Sequence, residues 1–318
     1  MSDRYAPRWR DVEVDGATVR VMEAGDPGAD PLLFLHGWGL SPRCYADGIS
    51  RLTAGGIRVI APCLPGFGGS DGPPLRGIDL PAYAHRIGRL LDVLGEHHPV
   101  FVAGHSFGGG IALQLATDRP ERVRSLTLIN SVGGAPGHGR VLNDTSWLRW
   151  AAGTLAELSA RDLARAAPSM VREFVPNALR KPLTLVLSAR VALTAALADQ
   201  AESLVAAGLP VLLIWADGDH VVAQGTLGAI VGSLPSEVVS GRHGWLLTEP
   251  EKFSTLLRNA LVVHAMLERR QRGQTMVLPP GASLADLIPP ERRRASRLPD
   301  QRRDRPHLLT HRSGKITG

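Results

Sequence analysis

The chain has 318 residues, 44% hydrophobic and 21% charged, enough to bury a large core as one domain with an insertion. A net charge of +6 invites a nucleic-acid reading, yet residues 269–318 hold 12 Lys/Arg against 4 Asp/Glu, so the remainder is almost neutral and no nucleic-acid partner is expected. No stretch approaches the ~18 apolar residues of a membrane span, the polar start has no signal-peptide pattern, and two cysteines are too few for a disulfide framework. The expected setting is reducing and cytoplasmic.

Short apolar runs then alternate with helical patterns. "WRDVEVDG" and "ATVRVMEAG" alternate polar and apolar residues around Asp15-Gly16, which predicts an antiparallel hairpin. "PLLFLHG", "IRVIAP", "HPVFVAGHS", "VRSLTLIN" and "PVLLIWADG" are nearly continuous apolar runs, as strands covered on both faces should be. Between "IRVIAP" and "HPVFVAGHS", Asp79 caps a helix with Pro81 in its first turn and Gly95 at its end. "SFGGGIALQLATD" and "PEKFSTLLRNALVVHAMLERR" also read as helices. A hairpin followed by β-α units predicts an α/β fold, a mostly parallel twisted sheet with helices on both faces.

The alternation is interrupted once. Residues 134–208 show amphipathic helical pattern with breaks expected at Pro168, Pro176 and Pro182, which predicts a helical insertion between two strands of a core made of 1–133 and 209–268. Trp147 and Trp150 in it, together with Trp245, are candidates to line an apolar substrate pocket. Residues 269–318, with "PPERRRASRLPDQRRDRPH", are expected to be a disordered basic tail, available to an anionic partner or surface.

Two G-x-S-x-G patterns occur, and their contexts separate them. Gly104-His105-Ser106-Phe107-Gly108 follows a strand and opens a helix, the setting a nucleophilic serine requires; Gly68-Gly69-Ser70-Asp71-Gly72 runs into "DGPPLRG", where two prolines oppose helix entry. An activated serine also needs a base, an acid that orients it and an oxyanion site. His243 lies in a loop before the last helix, Asp217 and Asp219 end the strand "PVLLIWADG", and the backbone N–H groups of Trp38, in "FLHGWG", and Phe107 can converge on an oxyanion. No Cys pair or H-E-x-x-H spacing supports a metal, and no dinucleotide fingerprint follows a strand, so no cofactor is expected.

With "HGWG", "LPGFGGSD", "GHSFGG", "WADGDHVV" and "GRHGWLLTEPEKF" in that order, the chain resembles the α/β-hydrolase superfamily, in its branch with a helical cap. The resemblance implies an α/β-hydrolase fold from about Trp9 to Arg269, Ser106 as nucleophile, His243 as base, Asp219 rather than Asp217 as acid, and the insertion as a cap. It also implies that Cys63 stands where the family often has Asp, a change read as lying behind the site, and that His36 and His105 are structural. Epoxide- and halide-processing relatives use an aspartate nucleophile, against which Ser106 argues, and the epoxide-opening group also relies on cap tyrosines, whereas Tyr5, Tyr45 and Tyr83 all lie outside the insertion. What remains is acyl chemistry on a small molecule. Ester or lactone hydrolysis comes first; the rivals are cleavage of a carbon–carbon bond in a vinylogous diketone acid and a non-catalytic ligand-binding scaffold. Carbon–carbon relatives often carry Trp directly after the histidine and a basic cap residue. Here Gly244 intervenes, and Arg161, Arg165, Arg172, Arg180 and Arg190 are the available cations.

Overall fold

A computed structural model describes residues 7–134, 160–219, 221–222 and 236–271. Trp147, Trp150 and the basic tail lie outside the described residues, as does His220. The chain opens with β1 (Arg8–Val14) and β2 (Ala17–Ala24), joined at Asp15 and Gly16, which both take positive φ as a two-residue hairpin turn demands. There follow β3 (Pro31–Leu35), α1 (Ala46–Ala54), β4 (Arg58–Pro62), α2 (Leu80–Leu94), β5 (Val100–His105), α3 (Phe107–Asp118) and β6 (Val123–Ile129). Three helices come next: α4 (Ala160–Arg180), α5 (Pro182–Thr194) and α6 (Ala198–Ala206). The chain then returns through β7 (Val211–Ala216), β8 (Ser236–Val239), α7 (Trp245–Thr248) and α8 (Pro250–Gln271).

The eight strands form one sheet in the order β1-β2-β4-β3-β5-β6-β7-β8, parallel from β4 to β8. Alternate residues of its central strands feed two separate cores. Leu33, Leu35, Val102, Leu126 and Leu128 pack with the apolar faces of α2 and α3, whereas Leu32, Phe34, Ala103, Ile129 and Ile214 pack with those of α1 and α8. This explains why the runs are continuously apolar: both faces of each strand are covered. The cap at Asp79 forms as expected, its Oδ1 accepting from Ala82 N at 2.8 Å, and Gly95 ends α2 in the left-handed region.

Strand order reverses around β3, whose chain neighbour β4 lies on one side while β5 lies on the other. The loops that follow β3 and β5 therefore part at the carboxyl edge of the sheet and leave a crevice there. Ser106 and Trp38 stand on these two loops.

Two expectations need correction. β8 was not foreseen. It has four residues at the sheet edge, only Val239 is buried, and so it lacks the continuous apolar run that marks its neighbours. The break expected at Pro168 and Pro176 does not occur, for α4 runs through both. Each proline removes one backbone donor and crowds the preceding turn, at about 3 kcal/mol. Packing overrides the local preference around Pro176: Glu173 and Asn177 are buried and the Phe174 ring meets Trp38 edge-on at 5.7 Å. Pro182 does mark a boundary, standing at the start of α5, where its missing N–H costs nothing.

Candidate active site

Ser106 joins β5 to α3 with φ 52° and ψ −117°, a conformation that side chains rarely adopt. The turn closes only because its neighbours are small. A Cβ on Gly104 would lie 2.4 Å from the Gly108 carbonyl oxygen, and one on Gly108 would lie 2.3 Å from that of Leu35. Gly108 thus lets α3 press directly on the end of β3, which brings the start of α3, at Phe107, against the loop carrying Trp38. A helix N-terminus and an adjacent loop of backbone donors favour developing negative charge at that spot.

The strained turn aims Ser106 Oγ at Nε2 of His243, 2.9 Å away, and Nδ1 of His243 is 2.8 Å from Asp219 Oδ2. All three residues are buried, Ser106 to 3% exposure. The spacing sets the tautomer: an Nδ1–H donates to the carboxylate, so Nε2 is left to accept from the serine hydroxyl. Asp219 is held from several directions. Its Oδ1 accepts from the N–H groups of Val221 and Val222, both at 2.9 Å, and its Oδ2 also accepts from Nδ2 of Asn130. Burial on its own raises the carboxyl pKa, but the His243 hydrogen bond and charge, with the Val222 and Asn130 donors, outweigh it and hold Asp219 below the usual range. Asp217 takes another task, its Oδ1 accepting from Gly241 N at 3.0 Å and tying the β7 loop to the loop that carries His243.

Asn130 escaped the sequence analysis. It sits just past β6 at φ 44°, a region that asparagine tolerates better than most residues, and it bridges Asp219 to the indole Nε1 of Trp245. The signal was a polar side chain ending an apolar strand at the edge where Ser106 and Asp219 also emerge. Trp245, at 2% exposure, packs with Leu212, Ile214 and Leu246 and reaches Asp219 through Asn130. Trp38, by contrast, reaches outward: its Nε1 donates to the Leu185 carbonyl and to Ser188 Oγ on α5.

Two buried histidines organise the surroundings. His36 Nδ1–H donates to Gly37 O and its Nε2 accepts from Leu64 N, pinning the Trp38 loop to the end of β4. His105 joins the same loop to His243: Gly37 N–H donates to the Tyr45 hydroxyl, which donates to His105 Nδ1, while His105 Nε2–H donates to the backbone carbonyl of His243. Burial lowers the pKa of His36 to about 4, and burial together with the nearby His243 charge lowers that of His105 to about 3. Both rings stay neutral and do not repel an imidazolium at His243.

Cys63 is fully buried with its Sγ toward the Gly68 carbonyl, and burial, then the Glu173 charge, pushes its thiol up to about 12. It is therefore a protonated packing residue, not a reactive thiolate. Among the described residues no group of three or more His, Cys, Asp and Glu is placed to hold a metal ion, and no helix is long and apolar enough to cross a membrane.

Comparison with known proteins agrees with this geometry. Residues 32–256 match the model of the Alpha/beta hydrolase family. The chain is 39% identical over 128 residues to the dihydrolipoyllysine-residue acetyltransferase component of the acetoin cleaving system of Cupriavidus necator, covering 40% of this chain and 33% of that protein. It is 40% identical over 123 residues to 2-hydroxymuconate semialdehyde hydrolase of Pseudomonas sp. (strain CF600), covering 38% of this chain and 43% of that one. The chain thus spans less than half the length of these two relatives in matched sequence. Among solved structures, a thermophilic esterase from Thermogutta terrifontis superposes with a TM-score of 0.65 at 19% identity, covering 81% of this chain and 99% of that one. The sheet order, the strained serine at the reversal of that order and the family match over most of the chain lead to one assignment: the protein belongs to the α/β hydrolase family.

Proposed function

We propose that the protein is a serine hydrolase that cleaves a carboxylic ester or lactone of a small to medium apolar substrate through an acyl-enzyme. One observation carries the reading: the unbroken line from the strained Ser106 through His243 to Asp219, with contacts of 2.9 and 2.8 Å. Ser106 Oγ attacks the carbonyl carbon as His243 Nε2 takes its proton, and Asp219 steadies the imidazolium. The backbone N–H groups of Trp38 and Phe107 meet the oxyanion. When the tetrahedral intermediate collapses, the carbon–oxygen bond breaks and His243 returns the proton to the leaving alcohol. Water, deprotonated by His243, then attacks the acyl-enzyme; the bond between the acyl carbon and Ser106 Oγ breaks as His243 returns the proton to Oγ, which releases the acid and restores the serine. In this reading residues 1–133 and 209–268 form the hydrolase core, the helices within 134–208 form a cap over the pocket, and no cofactor takes part. The two buried free cysteines suit the cytoplasm.

A second reading is carbon–carbon hydrolysis, favoured by the match to 2-hydroxymuconate semialdehyde hydrolase. Against it stand Gly244 directly after His243 and the engagement of Trp245 with Asn130. Purified protein offered p-nitrophenyl esters of graded acyl length, with a fluorophosphonate label in parallel, separates the readings. Wild type is expected to turn over and to label at one site. Ser106→Ala is expected to do neither while folded, a loss on the order of 10⁴-fold or more in kcat. Labelling without ester turnover moves the assignment to vinylogous diketone acids. The absence of both labelling and turnover overturns the serine-hydrolase reading.

A further inference from the structure

Apart from the Ser106 site, the seam between α4 and the core encloses a cavity of about 620 Å³ whose lining is strongly cationic. Arg20 enters it from β2, Arg43 from the loop after β3, Arg172 and Arg180 from α4, and Lys181 from the residue that follows. The glycine-rich turn 66–70 forms its floor. One acid, Glu173, faces these five cations, and Arg43 already engages it at 3.4 Å. Arg20 reaches only a distant acid, Asp11 at 3.9 Å, and Lys181 Nζ is spent on the carbonyl of Ser70 at 2.7 Å. Among the described residues, Arg172 and Arg180 have no carboxylate within ion-pair distance.

Arg172 and Arg180 are exposed and Arg20, Arg43 and Lys181 half-buried, and all five line one concavity from three segments of the chain. Asn177, buried at 8% exposure, also lines the cavity. Burial lowers the pKa of Lys181 against a weaker opposing pull from Asp71.

We propose that this seam is a second binding site, which takes a doubly charged phosphate group carried as a diphosphate or as a phosphate monoester. Forked guanidinium donors arriving from several directions suit a tetrahedral oxyanion with several acceptor oxygens better than a planar, singly charged carboxylate. The volume lies in the usual range for small-molecule sites and exceeds the needs of one phosphate, so it admits a diphosphate or a short organic body. Bound there, the group joins α4 to β2 and to the loop after β3. Phe174, next to Glu173 on α4, packs on Trp38.

The test is isothermal titration of the full chain with inorganic pyrophosphate and with glycerol phosphate, at ionic strength held constant with chloride. Saturable binding is expected, at least 10-fold weaker in the double variant Arg172→Gln/Arg180→Gln and several-fold weaker in Asn177→Leu. Both variants keep the basic residues of 269–318, so binding that survives undiminished in them belongs to that stretch and overturns the proposal. Absence of saturable binding to wild type does the same. Ser106→Ala is expected to bind pyrophosphate as wild type does, so failure of the hydrolase reading leaves this test intact. Vesicles of phosphatidylcholine with and without phosphatidic acid identify the source. Pyrophosphate-competed binding to the phosphatidic acid vesicles alone assigns a lipid headgroup, and pyrophosphate binding without vesicle binding assigns a free phosphate; either outcome supports the site.

Discussion

The two halves that meet around Ser106 are built on different terms. On the core side the groups that hold His243 against the serine are themselves held: Asp219 accepts from four donors, and His105 is hydrogen-bonded at both ring nitrogens. On the other side, α4 runs through two prolines and leaves Val171, Val175 and Leu179 exposed. It reaches the crevice by few contacts, chiefly the Phe174 ring on Trp38 and the Glu173–Arg43 pair. The contrast assigns different work to each. Reaction chemistry tolerates errors of a few tenths of an ångström at most and belongs where side chains are locked. Choice of substrate needs only a wall of suitable shape, which a helix packed against the Trp38 loop can supply.

This division is breakable by substitution on each side. Asp219→Asn has the largest expected effect of those on the acid side. The amide cannot accept as strongly from Nδ1–H and favours the tautomer that turns Nε2–H toward Ser106, so kcat is expected to fall by about 10⁴ with KM little changed. Kinetics on a p-nitrophenyl ester across pH 5 to 9 read this directly. A fall confined to KM would mean that the core side serves binding and would dissolve the contrast.

The histidine part of acid stability belongs to the core, because α4, α5 and α6 contain no histidine. Burial lowers His36 to about 4 and both His105 and His264 to about 3. In the unfolded chain these groups take up protons below roughly pH 6.5, whereas the folded chain refuses them until its own lower values. Stability is therefore complete above about pH 6.5 and is lost as the pH falls toward 4 and then 3. Each pKa unit is worth about 1.4 kcal/mol, so the total between pH 7 and pH 4 is on the order of several kcal/mol. Urea midpoints at pH 7, 6 and 5 are expected to fall in step. His264→Gln, which replaces a ring hydrogen-bonded to Thr127, is expected to flatten that slope. A midpoint insensitive to pH over this window would show that the three rings do not remain neutral in the fold.

Much of the core side is legible in the sequence, and the reason is local. A strand covered on both faces must be apolar throughout, so β3, β4, β5, β6 and β7 stand out as continuous runs, whereas β8, with one buried residue of four, does not. Gly104 and Gly108 flank the serine because a Cβ at either would strike backbone, a requirement written into five consecutive residues. Spacing alone could not separate Asp217 from Asp219, since both end the same strand. The resemblance chose Asp219, and the fold sets it against His243 while Asp217 meets Gly241. Asn130 and the Tyr45–His105 link were invisible because their partners are distant in sequence, 89 residues for Asn130 and 60 for Tyr45. α4 misled because helix breaking is a local rule and the burial of Glu173 and Asn177 is not.

Tyr45→Phe sharpens the core side at a smaller scale. Loss of the hydroxyl leaves Gly37 N–H and His105 Nδ1 without their partner in a fully buried place, at about 1–3 kcal/mol of stability. The same hydroxyl ties the Trp38 loop to the ring that holds the His243 carbonyl, so kcat is expected to drop several-fold while KM holds. A residue that only filled space would lower the melting temperature and leave kcat unchanged, and paired thermal and kinetic measurements distinguish the two.

Phe174→Ala carries the smallest effect and tests the other half of the contrast. The ring meets Trp38 edge-on and closes against Gly39, whose φ of +74° and whose missing side chain permit the approach. Truncation removes apolar contact from the wall facing the Trp38 loop without touching a hydrogen bond to Ser106, His243 or Asp219. The expected result is a change of a few-fold in KM and a shift of the preferred acyl length toward longer esters, with kcat on the best substrate within about two-fold of wild type. Profiles of kcat and KM against acyl length for the two proteins give the answer. If kcat falls across every length while the preference stays fixed, α4 helps to set the geometry of the reacting groups. Chemistry and choice are then shared by both halves.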